Sequence, residues 1–397
     1  MLKLKRLKIH KFPRVKPGTE LVFNDGFNVI LGVNGSGKTT LLKLLTYLIS
    51  GDLQALGESE FHLEYELQDG HNSCTFSIHY FPSARMGGAP TRNATRSELT
   101  LRGPGDTFTV TLVDDIAEAT YNGIAESYAL PSGSFSLQPR FHTGLTAQLL
   151  AHAPIFFYPT DRLDESTRWL EGTTDSASVE TSQPYLGYAN PIASSFERFV
   201  LEQLRGSSEQ DVHHLDADRL PFLRAVMPAL ACTSASLLFD LKHKERSEPH
   251  ELFTYTFGDF RFRLVKADGT RLRHHDLSYG QQRLLAFHFY AAMHPHVIIA
   301  DELTNGLHHA MIDQCLDLIG DRQAFLATQN PLLLDNLGFT SAEEVRSTFI
   351  LCNTEQENGR EQMVWRNTTV DEAENFYRDY KVGISHVNDI LRSWGLW

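Results

Sequence analysis

Three short runs in the chain carry residues whose types and spacing could handle a nucleotide. Gly32-Val33-Asn34-Gly35-Ser36-Gly37-Lys38-Thr39 fits the spacing G-x-x-x-x-G-K-[ST]. Its glycines let the backbone curl until several N–H groups point at one anion. A helix opening at the end of the run adds its positive dipole end. Lys38 should reach the β- and γ-phosphates, and the Thr39 hydroxyl should ligate Mg2+. Asn34, Gly35, Ser36, Gly37, Lys38, Thr39 and Thr40 are the candidate nucleotide contacts, with ATP and Mg2+ implied. The second run is Leu277-Ser278-Tyr279-Gly280-Gln281-Gln282-Arg283. There Ser278 can cap a helix, and Gly280 can admit a phosphate to its N-terminus beside Gln281. The third is Val297-Ile298-Ile299-Ala300-Asp301-Glu302, an apolar strand that delivers two carboxylates to its C-terminal edge. At such an edge Asp301 can hold Mg2+, and Glu302 can polarise an attacking water.

These runs need particular elements around them. Leu2 to Ile9 alternates lysines with leucines, the pattern of a half-buried strand. Gly26 to Leu31 is more continuously apolar, and Thr39 to Ile49 carries a leucine stripe at helical spacing. The phosphate-binding run therefore joins a buried strand to a helix. Period-two alternation from Glu60 to Phe81, with Asp69-Gly70 between its arms, reads as a hairpin; Leu99–Leu101 and Phe108–Val113 add strands. Pro82 to Ser97 reads as a mobile stretch and Glu171 to Asn190 as a polar loop. Ile155 to Tyr158 reads as a strand, Phe196 to Leu204 and Phe222 to Leu230 as helices. Phe253 to Leu264 suggests two strands in a hairpin, and a helix is expected over Tyr279–Met293. Val297–Ala300 and Phe325–Ala327 look like central parallel strands, with two strands and two helices in the tail.

Bulk properties narrow the function classes. A net charge of −13 argues against a protein that coats nucleic acid with its whole surface. Lys3, Lys5, Arg6, Lys8, Lys11, Arg14 and Lys16 all precede the first acidic residue, Glu20, so a local basic patch or a solvated strand face is expected there. No apolar run is long enough for a membrane span, and no secretory leader is read at the N-terminus. Four scattered cysteines, with no C-x-x-C, suit a reduced cytoplasmic location.

Taken in order, the phosphate loop, the L-S-x-G-Q run and the Asp-Glu strand end resemble the ABC ATPase superfamily. Phe23 to Gly35, Asn305-Gly306-Leu307-His308 and the ending Val387 to Trp397 are similar to its RecF, SMC and OLD-like branch, over about residues 1–82 and 253–397. The resemblance implies an α/β fold, a P-loop NTPase head of ABC type, to which the residue patterns add an antiparallel β lobe and a mostly helical insertion. The expected divisions are 1–60 and 253–397 for the ATPase core, 61–118 for a β-rich subdomain and 119–252 for the insertion. It also implies a homodimer or higher homo-oligomer closing on two ATP molecules, with Ser278, Gly280 and Gln281 supplied in trans. One departure stands out: where the family usually places a histidine sensing the γ-phosphate, this chain has Gln329, which donates a hydrogen bond but carries no charge. Candidate catalytic residues are thus Glu302, Lys38 and Gln329, with slow or partner-dependent hydrolysis expected. Gln138 and Asp161-Arg162 are candidates for the Mg2+ contact of the linking loop. His213-His214-Leu215-Asp216-Ala217-Asp218 is read as a solvated loop before a metal cluster, and His274-His275 and His308-His309 as surface or interface residues. Two functions remain: a nucleotide-gated sensor or scaffold in bacterial defence with a separate effector protein, or a RecF-like ATPase acting on DNA.

Overall fold

The computed structural model describes residues 2–50, 56, 59–69, 72–81, 96–103, 106–113, 116–121, 124–129, 176–181, 212–247, 252–294, 296–357, 359–383 and 386–396. The chain divides into two units, one of Met1–Phe141 with Asp321–Trp397, the other of His142–Gly320.

The first unit opens with β1 (Leu2–Lys11), β2 (Thr19–Val22), β3 (Phe27–Leu31) and α1 (Lys38–Ser50). Six strands follow: β4 (Phe61–Asp69), β5 (Asn72–Phe81), β6 (Arg96–Gly103), β7 (Asp106–Val113), β8 (Ile116–Tyr121) and β9 (Ile124–Ala129). All but β3 join one antiparallel sheet, ordered β2-β1-β4-β5-β6-β7-β8-β9. Alternation decides its faces: Phe61, Leu63, Tyr65 and Leu67 are buried, while His62, Glu64, Glu66 and Gln68 are only partly so.

The second unit contains β10 (Ser176–Thr181), β11 (Val212–Asp216), α2 (Pro221–Val226), β12 (Cys232–Ser247), β13 (Leu252–Lys266) and β14 (Arg271–Arg273). It continues with α3 (Tyr279–Met293), β15 (Val297–Asp301) and α4 (His309–Ile319). Its sheet runs β10-β13-β12-β11, with β14 added to β13. Two expectations are corrected here. The residues from Phe253 to Leu264 lie in one continuous strand, β13, and not in a hairpin. The apolar phase changes in mid-strand because β13 carries an extra residue between Gly258 and Arg261, opposite Asp240 and Leu238 of β12. Such bulges reverse the faces without ending the strand. The stretch read as a polar loop contains β10, which pairs with Phe253–Gly258. Among the described residues of 119–252, strands outnumber the single short helix α2. The expected strand at 155–158, the helix at 196–204, most of 82–97, Gln138 and Asp161-Arg162 lie outside the described residues.

The chain then completes the first unit with β16 (Gln323–Ala327), α5 (Pro331–Asp335), α6 (Ala342–Thr348), β17 (Phe349–Glu357), β18 (Arg360–Asn367), α7 (Val370–Val382) and α8 (Val387–Ser393). Here β3 lies between β16 and β17, parallel to both, and β18 pairs antiparallel with β17. Val29, Ile30 and Leu31 of β3 and Phe325, Leu326 and Ala327 of β16 are fully buried, as parallel central strands require. Two buried amides fix the register. The Asn28 side chain donates to the carbonyls of Asn24 and Ala324 at 3.0 and 3.2 Å. Gln323 donates to the Leu4 and Asn24 carbonyls, both at 2.8 Å, and accepts from the Leu4 N–H at 2.7 Å. Among the described residues no helix is long and apolar enough to cross a membrane.

Candidate functional site

Within the first unit, the loop after β3 is shaped by backbone that side chains rarely permit. Gly32, Gly35 and Gly37 have φ of +150°, +84° and +91°. A Cβ at Gly32 would collide with the Cys352 carbonyl of β17, and one at Gly37 with the Met363 sulfur of β18. Lys38, at the start of α1, is almost fully buried; its ammonium donates to the Gly32 and Val33 carbonyls at 2.8 and 3.2 Å. It therefore spans the curled loop as a lysine poised for an anion would. Ser36 Oγ is buried and meets no hydrogen-bond partner. Burial pushes the Cys352 thiol behind the loop up to about 12, against the opposing field of Lys38, so it stays protonated. Thr39 is exposed at the first turn of α1 and Thr40 half-buried beside it. From the loop after β16, Gln329 reaches back and donates to Asn34 Oδ1 at 2.5 Å.

In the second unit, α3 begins where the L-S-x-G-Q run predicts. Ser278 is its N-cap: its hydroxyl accepts from the Gln281 N–H at 3.4 Å, and the Gln281 side chain accepts from the Ser278 N–H at 3.1 Å. Gln281 is thus engaged within its own helix terminus. Gly280 has a further reason for being glycine. Its Cβ would stand 2.6 Å from the Gly306 carbonyl, and a Cβ on Gly306 would collide with the Tyr279 ring. The start of α3 and the turn after β15 are pressed together through two glycines. Every residue of β15 is buried, including Asp301 at its end. Glu302 follows, half-buried, with φ of +48°. A non-glycine residue in this left-handed region costs about 1–2 kcal/mol, a strain found where function demands a particular geometry.

The structure corrects the readings of His213 to Asp218 and of His274, and agrees with the surface reading of His308 and His309. Val212 to Asp216 is strand β11, not a loop; His213 is buried and stacked on Phe239 at 5.1 Å. Asp216 caps the following turn by accepting from the Asp218 and Arg219 N–H groups, and Asp218 pairs with Arg224. His274 is buried, its Nδ1 accepting from the Phe262 N–H at 3.2 Å, while His308 and His309 are exposed. Among the described residues no group of three or more His, Cys, Asp and Glu side chains could hold a metal. Mg2+ bound with nucleotide needs no such cage, because phosphates and water complete its shell. Within the first unit, the glycine cradle, the unpartnered Ser36 hydroxyl and the exposed Thr39 fit a magnesium nucleotide. Sequence reasoning missed Met363, Trp365 and Cys352 as the floor of the loop; their strands are remote in sequence, and only alternation in β18 hinted that Met363 and Trp365 share a face.

Buried parallel strands, a glycine loop curled over a buried lysine and a helix opening at that lysine define a P-loop nucleotide-binding protein of the α/β class. Residues 27–335 match the family described as "AAA domain, putative AbiEii toxin, Type IV TA system", and the chain belongs to that family. A stretch is also 34% identical over 86 residues to the DNA replication and repair protein RecF of Glaesserella parasuis serovar 5 (strain SH0165), covering 19% of this chain and 24% of that one. The chain thus matches about a quarter of the length of that curated relative. The family match over most of the chain and this RecF-like stretch agree with the P-loop reading of the loop after β3. Among solved structures, the SMC head domain from Thermotoga maritima is 14% identical with a TM-score of 0.38, covering 92% of this chain and 99% of that one. The Smc head domain from Pyrococcus furiosus, bound to the C-terminal domain of ScpA, is 13% identical with a TM-score of 0.40, covering 96% and 100%.

Proposed function

We propose that this ATPase is a nucleotide-gated switch: it dimerises around ATP, hydrolyses it slowly and passes its state to a separate effector protein, in the manner of a bacterial defence system. Lys38 and the loop from Asn34 to Thr40 hold the phosphates, and Thr39 and Asp301 are the Mg2+ ligands. Bound Mg2+ supplies positive charge against the phosphate oxygens. Glu302 takes a proton from the attacking water. Ser278, Gly280 and Gln281 of the partner subunit meet the γ-phosphate. Gln329 orients Asn34 and donates a neutral hydrogen bond, which stabilises developing charge less than an imidazolium would.

The observation that carries the choice of a switch over a DNA-acting machine is the state of the basic N-terminal run. Lys5 pairs with Asp25 at 2.5 Å, Lys11 with Glu60 at 2.5 Å, Lys16 with Glu355 at 2.8 Å and Arg14 with Glu361 at 3.4 Å. Arg6 pairs with Glu64, and Lys3 donates to two main-chain carbonyls at 2.6 Å. Such exposed pairs add little stability, but they set a carboxylate against five of the seven basic residues of the run and so weaken the field that would attract phosphates. The family description, with its toxin–antitoxin system, supports the same reading. A RecF-like action on DNA is the second reading, favoured by the RecF stretch. Steady-state ATP hydrolysis with and without double-stranded DNA separates them: a slow rate indifferent to DNA is expected, and a rate raised several-fold by DNA would transfer the assignment to the second.

A further inference from the structure

The signature helix α3 does more than present its N-terminus. Residues Leu284 to Ala291 are all buried, and the one charge that enters this run, Arg283, is buried with them at 1% exposure. Its guanidinium donates to the carbonyls of Glu302 and Leu303 at 3.1 and 3.3 Å. The Glu302 carbonyl also accepts from the Asn305 N–H at 3.0 Å. Two donors therefore fix the peptide plane that follows Glu302, the residue whose φ is +48°. On the other side of the Asp-Glu pair, the Tyr290 hydroxyl of α3 donates to the Ile299 carbonyl at 3.0 Å and accepts from its N–H at 2.9 Å. A third contact, Gly280 against the Gly306 carbonyl, closes the far end of the turn. One helix thus holds the strand before Glu302, the peptide after it and the end of its turn.

We infer that Arg283 is a positioning residue: from the signature helix it locks the Glu302 backbone in its left-handed conformation and so sets where the Glu302 carboxylate points. The inference rests on the reading of Glu302 as general base. It makes α3 a splint between signature and base, so a displacement of the helix N-terminus by nucleotide reaches Glu302 through Arg283. A buried guanidinium suits this task because one nitrogen, Nη2, carries two N–H donors for the two adjacent carbonyls and the group cannot lose its charge.

The test uses the full chain with Arg283→Gln, Arg283→Lys and each combined with Glu302→Gln, read by ATP hydrolysis, nucleotide affinity and amide hydrogen exchange over residues 302–307. Arg283→Gln should lower kcat on the order of 10²-fold, as expected for a general base displaced by about 1 Å, with nucleotide affinity unchanged. Arg283→Lys, which keeps charge and donors, should recover part of the rate. In the Glu302→Gln background neither change should cost further rate, because groups acting as one unit are not additive. Exchange across the turn should quicken in Arg283→Gln. If Arg283→Gln does not fold, Arg283→Lys carries the test, with about a tenfold loss of kcat expected on the same basis. Unchanged exchange, or losses that multiply in the Glu302→Gln background, would overturn the inference. If Glu302→Gln alone leaves hydrolysis intact, the reading of the base fails instead, and exchange at the turn still decides whether Arg283 holds it.

Discussion

Replacing Gly280 with alanine probes the tightest backbone approach in the second unit. The added methyl would stand 2.6 Å from the Gly306 carbonyl, where ordinary contact begins at 3.4 Å. One of the two backbones must therefore give by ~0.8 Å. The helix cannot yield easily, because Ala286 to Ala291 behind it are buried and Tyr290 is bonded to β15. Gly306 cannot retreat towards Tyr279, whose ring already lies against it. The displacement falls on the turn that carries Glu302. Overpacking of this kind costs about 1–3 kcal/mol of stability. A base moved by most of an ångström loses on the order of 10- to 100-fold in kcat. The assay is steady-state hydrolysis beside thermal unfolding, with Gly269→Ala as control. Gly269 has φ of +82° but open space around its Cβ position, so its replacement carries backbone strain without collision. Gly280→Ala should lose rate far beyond the control while binding nucleotide at the P-loop. Wild-type turnover in Gly280→Ala would refute the claim that this contact sets the position of the base.

Two further outcomes follow from single residues. Gln329→His places a group titrating near pH 6.5 beside Asn34, so the rate of this variant relative to wild type should be highest at pH 6 and fall towards pH 8; a flat ratio would remove Gln329 from the phosphate site. His288 is buried, neither ring nitrogen has a hydrogen-bond partner, and burial pushes its pKa down to about 4 from 6.5. The unfolded chain takes up this proton first, so stability is complete above about pH 6.5 and is lost as pH falls towards 4, by roughly 3 kcal/mol across the window. His288→Leu should flatten that acid limb in chemical unfolding, and an unaltered limb would assign the acid sensitivity elsewhere.

The parts of the site that are legible in sequence are local. The P-loop needs only glycines and a lysine at fixed spacing after an apolar strand, and the Ser278 cap needs only the residues of one helix turn. What escaped reading depends on distant strands. β13 looks like two strands because its bulge is set by pairing with β12, which no local pattern reveals. β10 (Ser-Ala-Ser-Val-Glu-Thr) has too little apolar alternation to be seen, and is a strand because β13 offers it an edge. Gly280 was read for its approach to phosphate, whereas the approach visible in the fold is to Gly306. Arg283 left one clue, a single charge at the head of an otherwise buried helix run. The basic N-terminal run was legible as charge but not as neutralised charge, because its partners Glu60, Glu355 and Glu361 come from other strands and loops.

The most direct measurement is the mass in solution of the Glu302→Gln variant with Mg-ATP, with ADP, and with Mg-ATP plus double-stranded DNA. A dimer that forms with ATP, is absent with ADP and is indifferent to DNA is the predicted result. A monomer under all three conditions, or a dimer that forms only when DNA is added, would contradict it.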